Sequence, residues 1–272
     1  MLQGEYPVSQ ICATLGLARS SFYRRSGKIE DSPLRSAIEG LAAQYPTYGS
    51  RRITAQLRRE TPQWRVNRKR VQRLMRQKGL SAQLKRRPGI TTDSRHRYPR
   101  YPNLVQGVDI VRPDQVWVAD ITYVQLGSEE IYLAILMDVF TRGLRGWHLS
   151  RSLGQELPLV ALNRALQRRG PEIHHSDQGG QYAAHAYVQR LQQAEARISM
   201  ATVGQPTQNA FAERVIRSIK EEEVYLSEYH SLADARAQIG HFIDEVYQHK
   251  RIHSALGYLT PAEFEAQYYA SL

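Results

Sequence analysis

Apolar residues in the first third of the chain recur three and four positions apart. Leu34, Ile38, Leu41 and Ala42 form one such stripe, which stops before Tyr45-Pro46-Thr47-Tyr48-Gly49, and the spacing predicts a helix with one buried face. Ile53 and Leu57 mark a second helix over 50–60, with Arg51, Arg52, Arg58 and Arg59 on its other faces. Val71, Leu74 and Met75 mark a third over 66–75, closed by Lys78-Gly79-Leu80. Ahead of these, 8–25 reads as a compact helix-turn-helix. Ser9 caps a first helix carrying Ile11, Cys12 and Leu15, Gly16 supplies the turn, and a second helix ends in Tyr23, Arg24 and Arg25.

Past residue 105 the period changes. Residues 115–124 are rich in β-branched and aromatic side chains, 131–139 form an apolar run of strand length, and 143–150 read as a third, edge-like strand. A helix over 158–169 stops at Gly170-Pro171, followed by a short strand over 172–175, a helix over 181–194 and a strand over 198–202. A long helix is expected over 209–226. Ser231 and Thr260 each stand three residues ahead of an acid, Asp234 and Glu263, and open two more helices. Three successive strands and then alternating elements describe an α/β fold, a mixed sheet flanked by helices behind a basic all-helical region. The expected organisation is a basic helical DNA-binding region over 1–80, a basic linker over 81–105 and a core over 106–272. The linker contains Lys85-Arg86-Arg87-Pro88-Gly89 and few aliphatic residues.

Charge sharpens this division. The net charge is +11, which points to a polyanionic partner. Residues 1–105 hold 22 Lys+Arg against 6 Asp+Glu, whereas 106–272 hold 15 against 20. The positive field therefore belongs to the helical region, where Arg51, Arg52, Arg68, Lys69, Arg70 and Arg73 are candidates for contact with DNA phosphates or for a solvated face. A single cysteine, Cys12, excludes an internal disulfide and a Cys-based zinc site. No apolar run has membrane-spanning length and the start lacks a secretory layout, so a cytoplasmic protein without a membrane partner is expected.

The candidate chemistry rests on acids. Asp120 interrupts the apolar run Val116-Trp117-Val118-Ala119-Asp120-Ile121, where an unpaired carboxylate costs several kcal/mol. It must pair with a buried arginine, lie at the sheet rim or bind a cation. Asp177 follows a short strand in His174-His175-Ser176-Asp177-Gln178-Gly179-Gly180, whose glycines let a phosphodiester approach or simply form a turn. Glu213 lies on the long helix, separated from Asp177 by 35 residues. On that helix Glu213, Arg217 and Lys220 share one face, and Phe211, Val215 and Ile219 supply an apolar stripe toward the sheet. Three acids from a strand, a strand end and a helix suit a pair of Mg²⁺ ions, which prefer oxygen ligands. Asp138 reads as a turn residue, and His174, His175 and His253 as structural or phosphate-contacting.

Together, Trp117…Asp120-Ile121-Thr122-Tyr123, His175-Ser176-Asp177-Gln178-Gly179-Gly180-Gln181-Tyr182 and Asn209-Ala210-Phe211-Ala212-Glu213 with Lys220 resemble the Asp-Asp-Glu transposases of bacterial insertion sequences. The second-frame product of elements with two overlapping frames is the nearest pattern. Tyr48-Gly49-Ser50-Arg51-Arg52-Ile53 and Arg251-Ile252-His253-Ser254-Ala255-Leu256-Gly257-Tyr258 extend the resemblance over nearly the whole chain. It implies a ribonuclease-H-like fold shared with retroviral integrases. It also implies DNA strand cleavage by activated water, followed by attack of the freed 3′-hydroxyl on another phosphodiester. Asp120, Asp177 and Glu213 are then expected to be the catalytic acids that hold two Mg²⁺ or Mn²⁺ ions, with Lys220 near the scissile phosphate. The implied partners are double-stranded DNA (element ends and target), further copies of the chain on that DNA, and a first-frame protein or fusion. Two other readings predict different behaviour. A purely hydrolytic nuclease of this fold cuts without joining, and a DNA-binding accessory protein or regulator with a silent core does neither.

Overall fold

The computed structural model describes residues 7–22, 31–80, 82, 99–202 and 206–272. Its centre is a five-stranded sheet. The long hairpin of β1 (Val116–Leu126) and β2 (Glu129–Asp138) turns at Gly127, whose φ of +58° is left-handed. Antiparallel to β2 runs the edge strand β3 (Leu144–Ser150), while β4 (Ile173–Ser176) and β5 (Arg197–Met200) add parallel on the other side of β1. The order is β3-β2-β1-β4-β5, so the strand bearing Asp120 is central.

Alternation along the strands sends two apolar sets to opposite faces. Val116, Val118, Val124, Ile131, Leu133 and Ile135 meet α9 (Ala210–Ile219), α10 (Leu232–His241) and the π-helical segment Phe242–Tyr247. Trp117, Ala119, Ala134 and Leu136 meet α6 (Glu156–Ala165), α7 (Gly180–Ala183) and α8 (His185–Gln193). At Gly146 on β3 a Cβ would lie 2.3 Å from the Ala161 carbonyl oxygen; a bare backbone is what allows α6 to approach so closely.

The helical region packs α3 (Ser32–Gln44), α4 (Ser50–Glu60) and α5 (Arg68–Gln77) around Leu34, Ile38, Ile53, Leu57, Val71 and Leu74. Ile252, from the far end of the chain, completes that core. Before it, α1 (Val8–Thr14) and α2 (Arg19–Phe22) join through Gly16. Ser9 lies inside α1, and Pro7 occupies the cap. Tyr23, Arg24 and Arg25 fall outside the described residues, as does the basic run 85–89. The last part of the stretch read as linker lies against the sheet: Leu104 N–H donates to Ser199 Oγ at 2.8 Å, and Met200 N–H donates to the Pro102 carbonyl at 3.4 Å.

Two expected helices are interrupted. The one over 181–194 breaks at Ala184, whose ψ of 142° is extended; the break lets Tyr182 and Tyr187 meet edge to face beside His174. The long helix over 209–226 is α9 followed by a π turn, Lys220–Val224. Thr260 forms a full capping box with Glu263 at the start of α11 (Pro261–Ala270). Ser231 Oγ accepts from Asp234 N–H at 3.1 Å. Among the described residues no helix is long and apolar enough to cross a membrane.

Candidate active site

The parallel pairing of β1 with β4 sets Val118 opposite His175. Two residues further along each segment stand Asp120 and Asp177, so the register alone brings the two acids to the same end of adjacent strands. Asp177 Oδ1 accepts from Gly179 N–H at 2.9 Å, forming the turn that ends the strand. The helix bearing Glu213 is tied to both strands at its start. Asn209 Nδ2 donates to the carbonyl of Ala119, the residue before Asp120, at 3.1 Å in a buried contact. The Gln208 carbonyl lies 3.2 Å from His175 Nε2, and His175 Nδ1 lies 2.8 Å from Ser199 Oγ. Glu213 therefore sits in the first turn of α9 above β1, with its side chain exposed.

The electrostatics register this gathering. Asp120 is half-buried, and its carboxyl is pushed up to about 8 from 3.8. Burial is the main cause and the nearby charge of Asp177 the second; Glu213 adds to it, while the Ile121 N–H and Lys220 oppose it. Lys220 Nζ stands 4.0 Å from the centre of the Tyr123 ring, and burial lowers its proton affinity against the pull of Asp120. The Tyr182 hydroxyl is buried with no hydrogen-bond partner among the described residues and feels both Asp120 and Asp177. Among the described residues, no three His, Cys, Asp or Glu side chains converge closely enough to hold an ion as they stand. Asp120 and Asp177 feel each other's field, and Glu213 adds to it from the start of α9.

Neighbouring polar groups are occupied structurally. Asp138 is fully buried and accepts from Thr141 N–H, Thr141 Oγ1 and Asp114 N–H, with Arg145 beside it. Burial pulls His174 down to about 3 and His175 to about 4, so both are neutral. Burial first, and the charge of neighbouring Arg251 second, bring His253 down to about 2. Phe211 is outside the core: Arg142 lies over its exposed ring at 4.2 Å, while Ala212, Val215, Ile216 and Ile219 face the sheet.

Comparison with known proteins adds the lineage. An integrase core domain model matches residues 111–206, a second integrase core model matches 194–261, and an HTH-like domain model matches 28–88. The transposase of insertion sequence element IS629 from Shigella sonnei is 33% identical, over 100% of this chain and 95% of that protein. Transposase InsF of IS3A from Escherichia coli K12 is 31% identical over 97% and 95%. The chain belongs to the IS3 family of insertion-sequence transposases. A chain of the simian T-cell lymphotropic virus intasome, solved in complex with PP2A regulatory subunit B56 gamma, aligns with a TM-score of 0.50 at 13% identity. That alignment covers 84% of this chain and 74% of that one, and shows the same integrase-type fold. The HTH-like match begins after the 8–25 hairpin, so it describes the three-helix bundle of α3, α4 and α5.

In this transposase the basic candidates divide by what they touch. Arg51, Arg68 and Lys69 are exposed, as is Arg217 on α9. Arg51 and Arg68 line an open cavity of about 480 Å³ with Arg58, Arg59 and Tyr258. Arg70 and Arg73 instead share Asp31 at 2.6 and 3.0 Å, and hold its carboxyl below the usual range. Arg52 stacks over Tyr48 and pairs with Glu222 at 3.2 Å. Sequence reading missed Asn209 and Gln208 as tethers and Tyr182 as a neighbour of the acids. In the sequence Asn209 and Tyr182 stand out only as members of the two motifs, and Gln208 only as a polar residue ahead of a helix.

Proposed function

We propose that this transposase cleaves and joins DNA at Asp120, Asp177 and Glu213, and that these acids hold two Mg²⁺ or Mn²⁺ ions. The observation that carries the reading is the convergence of a buried strand acid, a strand-end acid and a tethered helix acid. The raised proton affinity of Asp120 and the Tyr182 hydroxyl, without a hydrogen-bond partner among the described residues, fit a site completed by a cation and its water. Divalent ions supply charge that activates an attacking oxygen and steadies a leaving one. Asp120, Asp177 and Glu213 would hold the ions, Asp120 giving up its proton on binding, and Lys220, beside Tyr123, would meet the phosphate. Gly179 keeps the backbone low beside Asp177. Residues 1–80 supply the DNA-holding region, with Arg51, Arg68 and Lys69 on phosphates, residues 81–105 connect it to the core over 106–272, and Arg217 extends the positive face beside Glu213. Assembly of several copies on DNA, and a first-frame partner, belong to the same reading. Labelled duplex DNA incubated with the protein and Mg²⁺ or Mn²⁺ should yield cut and joined products that a chelator abolishes. Cutting without joining would favour a hydrolytic nuclease, and salt-sensitive binding without chemistry an accessory role.

A further inference from the structure

The two motifs that the active site leaves unexplained, Tyr48–Ile53 and Arg251–Tyr258, meet in one buried joint. Glu222, in the π turn, accepts from Arg251 Nε and Nη2, both at 2.7 Å, and from Arg52 Nη1 at 3.2 Å. Arg251 is 3% exposed and also donates to Ser218 Oγ of α9 at 3.1 Å. Beside this, Tyr48 OH accepts from Ile252 N–H at 3.1 Å, and Ile252 fills the core of the helical bundle. One carboxylate thus takes a guanidinium from the core and a second from the helical region.

The position of that carboxylate gives the joint its meaning. Tyr225 N–H reaches the Lys220 carbonyl at 2.8 Å, a bond spanning five residues. Such a turn holds one residue more than an α turn, and rotates the residues after it by about 100°. Lys220, where the turn starts, stays in phase with α9 and Glu213, while Glu222, inside the turn, meets Arg251. Isolated π turns are disfavoured and persist where surrounding contacts fix them; here those contacts include the two arginines on Glu222, the Ser227 and Tyr229 hydroxyls on Glu223, and buried Val224.

We propose that Glu222 is a positioning residue: clamped by Arg251 and by Arg52 of the helical region, it fixes the π turn and so the setting of Lys220 and the Glu213 helix. The inference rests on the active-site reading above for its catalytic consequence, but not for its structural one. It makes Arg52 a link between DNA-holding bundle and core, with no phosphate contact of its own.

The test compares full-length wild type, Arg52→Gln and Arg52→Lys. Lys keeps a point charge, which suffices because Arg52 reaches Glu222 through one nitrogen only. In Arg52→Gln, amide exchange across residues 216–225 should quicken about tenfold or more, with β1 and β2 unchanged. The reaction rate at saturating DNA should fall roughly 10- to 100-fold. Affinity for labelled duplex in chelator should stay within about twofold, since no phosphate contact is lost, and Arg52→Lys should restore exchange and rate. Unchanged exchange, or weakened affinity with an unchanged saturating rate, would overturn the proposal. If wild type neither cuts nor joins, the active-site reading fails, and the exchange measurement still decides the joint.

Discussion

Replacing Asp120 with Asn should stabilise the metal-free protein, increasingly so as pH rises. In the folded chain the Asp120 carboxyl is raised from 3.8 to about 8, so the folded state holds a proton that the unfolded chain gives up. The stability contributed by that protonated group is fully present below pH 3.8, drains between 3.8 and about 8, and is gone above. The drain is about 1.4 kcal/mol per pH unit. By pH 7 it amounts to on the order of 4 kcal/mol, a large share of the roughly 5–15 kcal/mol that holds a domain folded. The Asn side chain retains the oxygen that accepts from Ile121 N–H at 2.8 Å and carries no titrating proton. Urea unfolding of both proteins in chelator at pH 5, 6, 7 and 8 measures the difference directly, since groups common to both largely cancel. The free-energy gap should widen in favour of the Asp120→Asn variant by roughly 1.4 kcal/mol per unit, and saturating Mn²⁺ should close it by stabilising wild type alone. Parallel pH profiles, or a variant less stable than wild type at pH 8, would show that Asp120 carries no such proton.

Asn209→Ala removes the tether to the Ala119 carbonyl and should cost about 1–3 kcal/mol of stability, read by denaturation; joining should fall further than DNA binding, because Glu213 loses its anchor. Arg51→Ala with Arg68→Ala should weaken duplex binding and lower the salt slope by roughly one per lost contact, leaving unfolding midpoints unchanged. Filter binding across a salt series checks it, and an unaltered slope would remove both residues from the interface.

Much of this was legible because short-range patterns determine it. The helix over 50–60 was read at the ends it has, since Ile53 and Leu57 define its face and Thr61-Pro62 stops it. Asp120 was conspicuous because an acid amid Val118, Ala119 and Ile121 demands a partner. Some misreadings come from contacts distant in sequence, others from local geometry that periodicity does not mark. Arg51 and Arg52 look alike along the chain, yet one faces solvent and the other meets Glu222, 170 residues away. Ser9 looked like a cap until Pro7, fixed at a helix-entry φ, took that place. Nothing in local periodicity marks the π turn after Ile219 or the break at Ala184. Both exist to serve partners, Arg251 in one case and the His174–Tyr187 cluster in the other. Phe211 sat at the right spacing for the core, but the helix begins at the sheet rim, where Arg142 covers it.

The three-acid site stands or falls with Glu213→Gln, which keeps the size and helix of the exposed side chain and removes its charge. Wild type and variant are compared on labelled duplex DNA with Mn²⁺, alongside DNA affinity in chelator. Loss of both cut and joined products at unchanged affinity is the predicted result. Chemistry that survives in the variant would contradict the assignment of Glu213, and with it the three-acid site.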